Sequence, residues 1–427
     1  MVFVLSSDGV PLDPCHEARA RKLLKAGRAA VWKRYPFTIR LKDRLAAEAI
    51  SHEHRLKIDP GSKTTGIVIV QEETARVVWA GELTHRGQQI RDALLRRRQI
   101  RCSRRQRKTR YRPVRFLNRR RRAGWLAPSL AHRALTTTTW VRRLRALCPI
   151  TTISMELVRF DTQAMEHPEI SGTEYQRGTL FGWDVWNYLL AKWGHRCAYC
   201  GATGVPLEQE HLIPRSRGGS DRITNLTIAC RPCNERKGNQ TAAEFGFPHL
   251  MAQARAPLKD AAAVNSVRWA IYQHLLATGL PVEVGTGGRT KWNRARLGYT
   301  KAHWRDAAVV GASTPDDLRV AVASVLLIAA AGHGRRQMCG TNASGFPIRH
   351  RRRQKQWFGF RSGDLVRAVI PSGKYAGRHV GRIAVRSRPS FKLNGFDVHP
   401  KYLTLVQRAD GYCYFTHNLA KTGTVRN

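Results

Sequence analysis

Acidic side chains are scarce in this chain of 427 residues. Asp and Glu number 30 against 74 Lys and Arg, which leaves a formal net charge of +44. A field of that sign and size excludes a basic partner and points to a polyanion, while saying nothing about the fold. Long apolar runs are missing as well. The run Val320 to Ala331 is too short to span a bilayer and reads as a buried element, so no membrane partner is expected. The opening Met1-Val-Phe-Val-Leu5 lacks a basic leader and soon meets Asp8, which argues against a secretory signal. Free thiols and basic charge fit the bacterial cytoplasm. There is no internal repeat. Cysteines number nine, and five of them (Cys15, Cys102, Cys148, Cys339, Cys413) are scattered and expected to be small buried hydrophobes.

The other four cysteines are arranged. Cys197-Ala-Tyr-Cys200 and Cys230-Arg-Pro-Cys233 are two Cys-x-x-Cys turns, each able to grip one metal. A redox dithiol needs only one such pair, and disulfides are disfavoured inside a cell. A closed structural zinc site held by Cys197, Cys200, Cys230 and Cys233 is the expectation.

Between the pairs lies chemistry. Glu210-His211 closes a strand-like run, Leu207 to Ile213. A Gly-Gly loop turns the chain, a second apolar run, Leu226 to Ala229, returns to Cys230, and a polar helix is expected near Pro232. Phosphodiester hydrolysis needs an activated water and a cation on the leaving oxygen. His211 suits the base. Glu210 and Asn234 suit a hard ion such as magnesium. Asn225 is better placed to lock the loop behind His211.

The basic charge is concentrated. Residues 86–122 hold sixteen arginines, one lysine and a single acid, Asp92. Ile90, Leu94, Leu95 and Ile100 hint at a helix, but cations surround it on every side, and like charges at helical spacing repel. A phosphate backbone would neutralise it and release counterions. Arg91, Arg97, Arg98, Arg101, Arg104, Arg105, Arg112 and Arg115 are the candidate nucleic-acid contacts; a solvated basic segment is the alternative.

A second set of acids is spread along the chain. Leu56 to Val70 reads as strand, glycine-containing turn and strand, with Asp59 at its open end. Glu156 ends the run Thr151-Thr-Ile-Ser-Met155. His303-Trp-Arg-Asp306 begins a small-residue helix, where a spacing of three puts His303 and Asp306 on one face. Asp59, Glu156 and Asp306 with His303 could hold two magnesium ions around an in-line displacement.

These motifs carry a resemblance. Residues 197–239 resemble an HNH endonuclease domain with a four-cysteine zinc site, although that family often has aspartate where this chain has Glu210. The ordered series Asp59, Glu156, then His303 with Asp306, resembles a split RuvC domain of ribonuclease H-like fold. The whole order is similar to the IscB family of transposon-encoded, RNA-guided nucleases, which is related to type II CRISPR effectors. Pro11-Leu-Asp-Pro14 resembles that family's N-terminal Pro-Leu-Met-Pro signature, with Asp13 in place of methionine.

The resemblance implies an α+β multidomain chain: a Pro-Leu-Met-Pro-like domain at 1–52, RuvC parts at 53–85, 124–183 and 249–334, an arginine-rich bridge helix at 86–123, an inserted ββα-metal HNH domain at 184–248, and a basic β-rich, SH3-like C-terminal domain at 335–427. It further implies a guide (omega) RNA and double-stranded target DNA with a short flanking motif as partners, magnesium at both nuclease sites, and a monomer within a ribonucleoprotein. HNH would cut the guide-paired strand and RuvC the displaced one. Three other readings stand beside it. An HNH homing endonuclease leaves Asp59, Glu156 and Asp306 unexplained. A non-catalytic RNA-binding protein leaves the acid–histidine–asparagine frame unexplained. A degenerate relative that binds without cutting is at odds with the catalytic residue types present.

Overall fold

Four short strands open the chain. β1 (Val2–Leu5) pairs antiparallel with β2 (Pro11–Cys15) and parallel with β4 (Thr38–Leu41); β3 (Ala29–Lys33) lies on the far edge of β4. Apolar residues alternating along these strands pack against Ala20, Leu23 and Leu24 of the helix Glu17–Lys25. Asp13 of β2 accepts a hydrogen bond from the His52 amide at 3.1 Å, so it fastens this sheet to the chain entering the next one.

The computed structural model describes residues 1–106, 124–157, 185–256, 261–320, 322–332, 339–343, 346–350 and 354–419. Its central sheet has eight strands. β5 (His54–Pro60), β6 (Thr64–Gln71) and β7 (Arg76–Thr84) follow one another antiparallel. β8 (Ile150–Glu156) lies parallel beside β5. The chain then leaves the sheet for a hairpin of β9 (Leu207–His211) and β10 (Leu226–Cys230), and returns as β11 (Val282–Gly285), parallel beside β8. β12 (Arg319–Val320) and β13 (Ser324–Ala330) run parallel to β7 at the other edge. The apolar run Val320 to Ala331 is therefore largely a strand.

Strand alternation sends side chains to two faces. Leu56, Ile58, Ile67 and Ile69 meet Trp140 and Leu144 of the helix Pro128–Arg145 and Val267 and Ile271 of the helix Ala261–Leu276. On the opposite face Val68, Val70, Val77 and Ala80 meet Trp304 and Ala307 of the helix His303–Ala308. Lys57 shares that second face and is fully buried; its Nζ donates to the Val310 carbonyl at 2.9 Å and to Thr314 Oγ1 at 3.0 Å. Burial lowers its pKa to about 7.

The C-terminal stretch begins with two small hairpins, β14 (Cys339–Thr341) with β15 (Pro347–His350) and β16 (Gln356–Trp357) with β17 (Phe360–Arg361). An antiparallel sheet follows from β18 (Leu365–Ile370), β19 (Gly377–Ala384), β20 (Phe391–Leu393), β21 (Phe396–Val398) and β22 (Leu403–Gln407), in the order β21-β20-β19-β18-β22. β23 (Tyr412–Asn418) does not join it. It pairs with β13 and closes the edge of the central sheet. Among the five scattered cysteines only Cys148 is buried; Cys102 is exposed, and Cys15, Cys339 and Cys413 lie between, which corrects the expectation for four of them. No helix among the described residues is long and apolar enough to cross a membrane.

Candidate active sites

The first candidate centre sits at the carboxyl ends of two neighbouring parallel strands. The β5–β8 register pairs Ile58 with Met155, so Asp59 and Glu156 follow side by side. Ligands of open α/β sheets gather at such strand ends. Asp306 arrives from the helix His303–Ala308, which His303 begins. That helix lies directly on the β5–β6 hairpin because Gly66, opposite Asp59, has no side chain: a Cβ there would stand 1.9 Å from the His303 carbonyl oxygen.

Two arginines hold these acids. Arg268 Nη2, from the helix Ala261–Leu276, lies 2.9 Å from Glu156 Oε1 and 3.8 Å from Asp59 Oδ1, while its Nε donates to the Pro60 carbonyl at 3.0 Å. Arg294 Nη1, from the helix Gly287–Arg296, lies 3.1 Å from Asp306 Oδ1. Burial, then the Glu156 charge, holds the Asp59 carboxyl well above the ordinary carboxylate range, and Arg268 only partly offsets them. Asp306 is raised by burial, with Arg294 and Lys301 opposing. Acids in this state favour a cation between them. Neither Arg268 nor Arg294 is flagged by a sequence motif: Arg268 is the one Lys or Arg on its helix, and Arg294 is one of four cations on a short one.

The second candidate centre is the β9–β10 hairpin and the helix Arg231–Lys237. Thr227 stands opposite Glu210, and Leu226 opposite His211. The thiol sulfurs of Cys197, Cys200, Cys230 and Cys233 all lie within 4.8 Å of one another, and Cys200 to Cys230 is 3.7 Å. Zinc–sulfur bonds of about 2.3 Å in a tetrahedron require sulfur separations near 3.8 Å, so the four thiols fit zinc. Burial opposes ionisation of Cys197, yet backbone amides from Cys200, Cys230 and Tyr199 bring its thiol down to about 7. Arg236 Nη2 donates to Cys233 Sγ at 3.3 Å.

The acid–histidine pair divides. Glu210 is buried, accepts from Tyr199 Oη at 2.6 Å, and pairs with Lys237 Nζ at 2.6 Å. His211 turns the other way, with Nε2 2.8 Å from Asp221 Oδ1, an acid that Arg215 also holds. Asn225 bonds the Ile213 amide at 2.9 Å and the Ile213 and Ser220 carbonyls at 3.0 and 2.9 Å, so it ties the loop that follows His211. Asn234 Nδ2 donates to Glu208 Oε2 at 2.9 Å. Asn234 thus touches Glu208, the acid two residues before Glu210 on the same strand. Glu208 and Asp221 are the residues that sequence reasoning missed. The alternation of β9 could have flagged Glu208, which shares a face with Glu210.

The arginine segment is helical over Gly87–Gln106 and lies against the helix Pro128–Arg145, where the Arg86 amide donates to His132 Nε2 at 3.3 Å. Arg91, Arg97, Arg98 and Arg101 are exposed. Arg104 and Arg105 belong to the helix, but their side chains, and the whole of Arg112 and Arg115, lie outside the described residues.

Comparison with known proteins agrees with this geometry. Residues 197–250 match the model of an HNH endonuclease family, so the chain carries an HNH endonuclease domain. Residues 2–178 match the RRXRR protein family. Neither match spans half of the chain; the HNH match agrees with the resemblance of residues 197–239. No curated protein matches the chain. Solved structures similar to it include Streptococcus thermophilus Cas9 in complex with the GGAA PAM, at 13% identity and a TM-score of 0.23 over 60% of this chain and 32% of that one. Another is the Type II-C Cas9 enzyme from Actinomyces naeslundii, at 13% identity and a TM-score of 0.15 over 70% and 43%. The chain thus spans about a third of the length of the first, and scores of this size carry no argument about the fold.

Proposed function

We propose that this chain is an RNA-guided DNA endonuclease of the IscB kind, with two hydrolytic sites that each cut one strand. The observation that carries this reading is the seating of Asp59, Glu156 and Asp306 at one sheet end in a chain that also holds an HNH endonuclease domain. Three antiparallel strands followed by two parallel ones support a ribonuclease H-like, RuvC core in three parts. The five-stranded sheet of β18 to β22 is read as the SH3-like unit that meets duplex DNA beside the target.

The donor sets fit the expected ions. Three carboxylates offer hard oxygens for magnesium, which would polarise the phosphodiester and ease departure of the leaving oxygen. Asp59, Glu156 and Asp306 would hold it, with Arg268 and Arg294 yielding charge balance as it binds. His303, on the same helical turn as Asp306, would take the proton of the attacking water. In the HNH unit Asp221 accepts from His211 Nε2–H, which leaves Nδ1 free to take a proton. Asn234 and an acid of β9 would hold magnesium there. Glu208 already touches Asn234, and Glu210 is the acid that the family resemblance indicates.

The arginine helix and the basic faces near it would bind a structured guide RNA through its phosphates. Base pairing would then choose the target, while the protein reads duplex shape and a short flanking motif. The test is RNA that copurifies with the protein expressed from its native locus. A single structured RNA with a variable end, directing magnesium-dependent cleavage of matching DNA, is expected. Heterogeneous RNA removed by moderate salt, with cleavage that needs no guide, would favour a protein-guided HNH homing endonuclease instead.

A further inference from the structure

The helix Gly287–Arg296 has two unlike faces. Its inner face is fastened: Thr290 and Asn293 are buried, Asn293 Nδ2 donates to the Val309 and Gly311 carbonyls at 2.9 and 3.0 Å, and Arg294 reaches Asp306. Its outer face carries Arg289, Trp292 and Arg296, spaced three and then four apart and all exposed. Trp292 is 57% exposed, a costly place for an indole that no core residue covers. The Arg296 guanidinium lies over its ring at 4.7 Å from the centroid and is itself held by Asp316. The helix bears four cations, Arg289, Lys291, Arg294 and Arg296, and no acid.

The cations extend beyond the helix. Lys301, in the loop that leads to His303, is exposed. Its charge acts with Arg294 on Asp306 and with Arg268 on Asp59. Lys291, Lys301 and Arg294 also act on His195, just ahead of the Cys197 zinc turn. Arg294 and Lys301 thus lie near Asp306 and His195, and the exposed Trp292 ring stands on the helix that carries Arg294.

We propose that Trp292, backed by Arg296 and flanked by Arg289 and Lys301, is a stacking platform for an unpaired DNA base, which feeds that strand to the Asp59–Glu156–Asp306 centre. The assignment rests on the reading of that centre as a nuclease site. A base offers its π face only when unpaired, so the platform selects single strands over duplex. Stacking on an aromatic residue contributes about 1–3 kcal/mol per base, whatever the sequence. An arginine already seated over the indole lowers the ordering cost and adds cation–π attraction. Purely phosphate-binding surfaces have no use for an exposed indole, and the helix offers a protein partner cations but no acid of its own.

The test is photocrosslinking and binding on the full chain in calcium. The probe is a thymidine oligonucleotide with one 5-iodouracil, single-stranded or paired. Crosslinking is expected to map to the peptide containing Trp292 with the single strand and to fall away with the duplex. Trp292→Ala is expected to weaken single-strand binding about tenfold, with duplex affinity and the salt dependence little changed. Trp292→Phe should retain most of the affinity. Arg289→Gln should instead reduce the salt slope by about one. Because Trp292 is exposed, the alanine variant should melt with the parent. Equal single-strand affinity of Trp292→Ala and parent, or a crosslink confined to other peptides, overturns the platform. Loss of guided cleavage as a property of the parent chain, with the Trp292 crosslink intact, would overturn the nuclease reading while leaving single-strand stacking in place.

Discussion

Lys237 and Glu210 form a buried ion pair in which Nζ stands 2.6 Å from Oε1 and the side chains are 1% and 5% exposed. The same Nζ donates to the His211 carbonyl at 2.9 Å, and Tyr199 occupies the other Glu210 oxygen. Helix, strand and zinc turn therefore meet at one carboxylate. Breaking a buried pair by removing one partner costs about 3–5 kcal/mol, because the other charge is left uncompensated. Lys237→Met should loosen the HNH unit by that order, seen as faster hydrogen exchange across β9 and β10, and Glu210→Gln with Lys237→Met should recover much of the loss. If Glu210 only fastens the unit, the double variant still cuts the guide-paired strand. If Glu210 also holds the metal, the double variant is as inactive as His211→Ala.

Gly66→Ala tests how the first centre is seated. The new Cβ would fall 1.9 Å from the His303 carbonyl oxygen, and backbone lies on both sides of the clash. Overpacking of this kind costs about 1–3 kcal/mol and displaces what it touches. Because the displaced element carries Asp306, cleavage of the non-guide strand should fall at least about tenfold, while cutting by the HNH site stays near the parent rate. Equal loss at both strands would show that the two centres are not separable.

Arg268→Met removes the cation between Glu156 and Asp59 and leaves the two carboxylates facing each other. The variant should be less stable than the parent in chelator, since a buried charge pair has lost one member. Calcium or magnesium should stabilise it more than the parent, because the ion then supplies the missing charge and binds the native form alone. Melting temperatures with and without divalent ion check this, and an identical shift for both proteins would count against an ion site at Asp59 and Glu156.

The legible part of the molecule was the part where chemistry is local in sequence. The two Cys-x-x-Cys turns, the Glu210-His211 dipeptide, and the alternation that yields β5, β6, β8, β9 and β10 all lie in short windows. Asn225 as a loop lock was also readable, because its partners sit within twelve residues. Arg268 and Arg294 were not readable. Arg268 lies on a helix packed against the sheet and meets Glu156 across 112 residues of chain, while Arg294 stands twelve residues before Asp306 but is one of four cations on its helix, with nothing local to mark which of them turns inward. The contact of Asn234 with Glu208 is hidden for a different reason. Lys237 and Tyr199 claim Glu210 from outside the hairpin, and that leaves Glu208 for the asparagine. The return of β23 to β13 was equally hidden, since a terminal strand carries no mark of which sheet it joins.

Metal removal at the four thiols tests whether the two candidate centres are separable. Four thiols around one ion contribute folding free energy directly to a unit this small. The parent chain should carry one zinc, and Cys233→Ser should carry much less. A chelator strong enough to strip it should unfold residues 197–250 and abolish HNH cleavage, while the Asp59 centre continues to nick. Metal analysis with strand-resolved nicking at the same chelator concentrations checks this; simultaneous loss of both activities would contradict it.

The central claim is that two sites in one chain cut two strands, and strand-labelled cleavage tests it most directly. With guide RNA, magnesium and a target labelled differently on each strand, His211→Ala should nick only the displaced strand and Asp59→Ala only the guide-paired strand. The two variants mixed should restore both cuts. Double-strand cleavage by either variant alone, or loss of both cuts in each, would contradict the account.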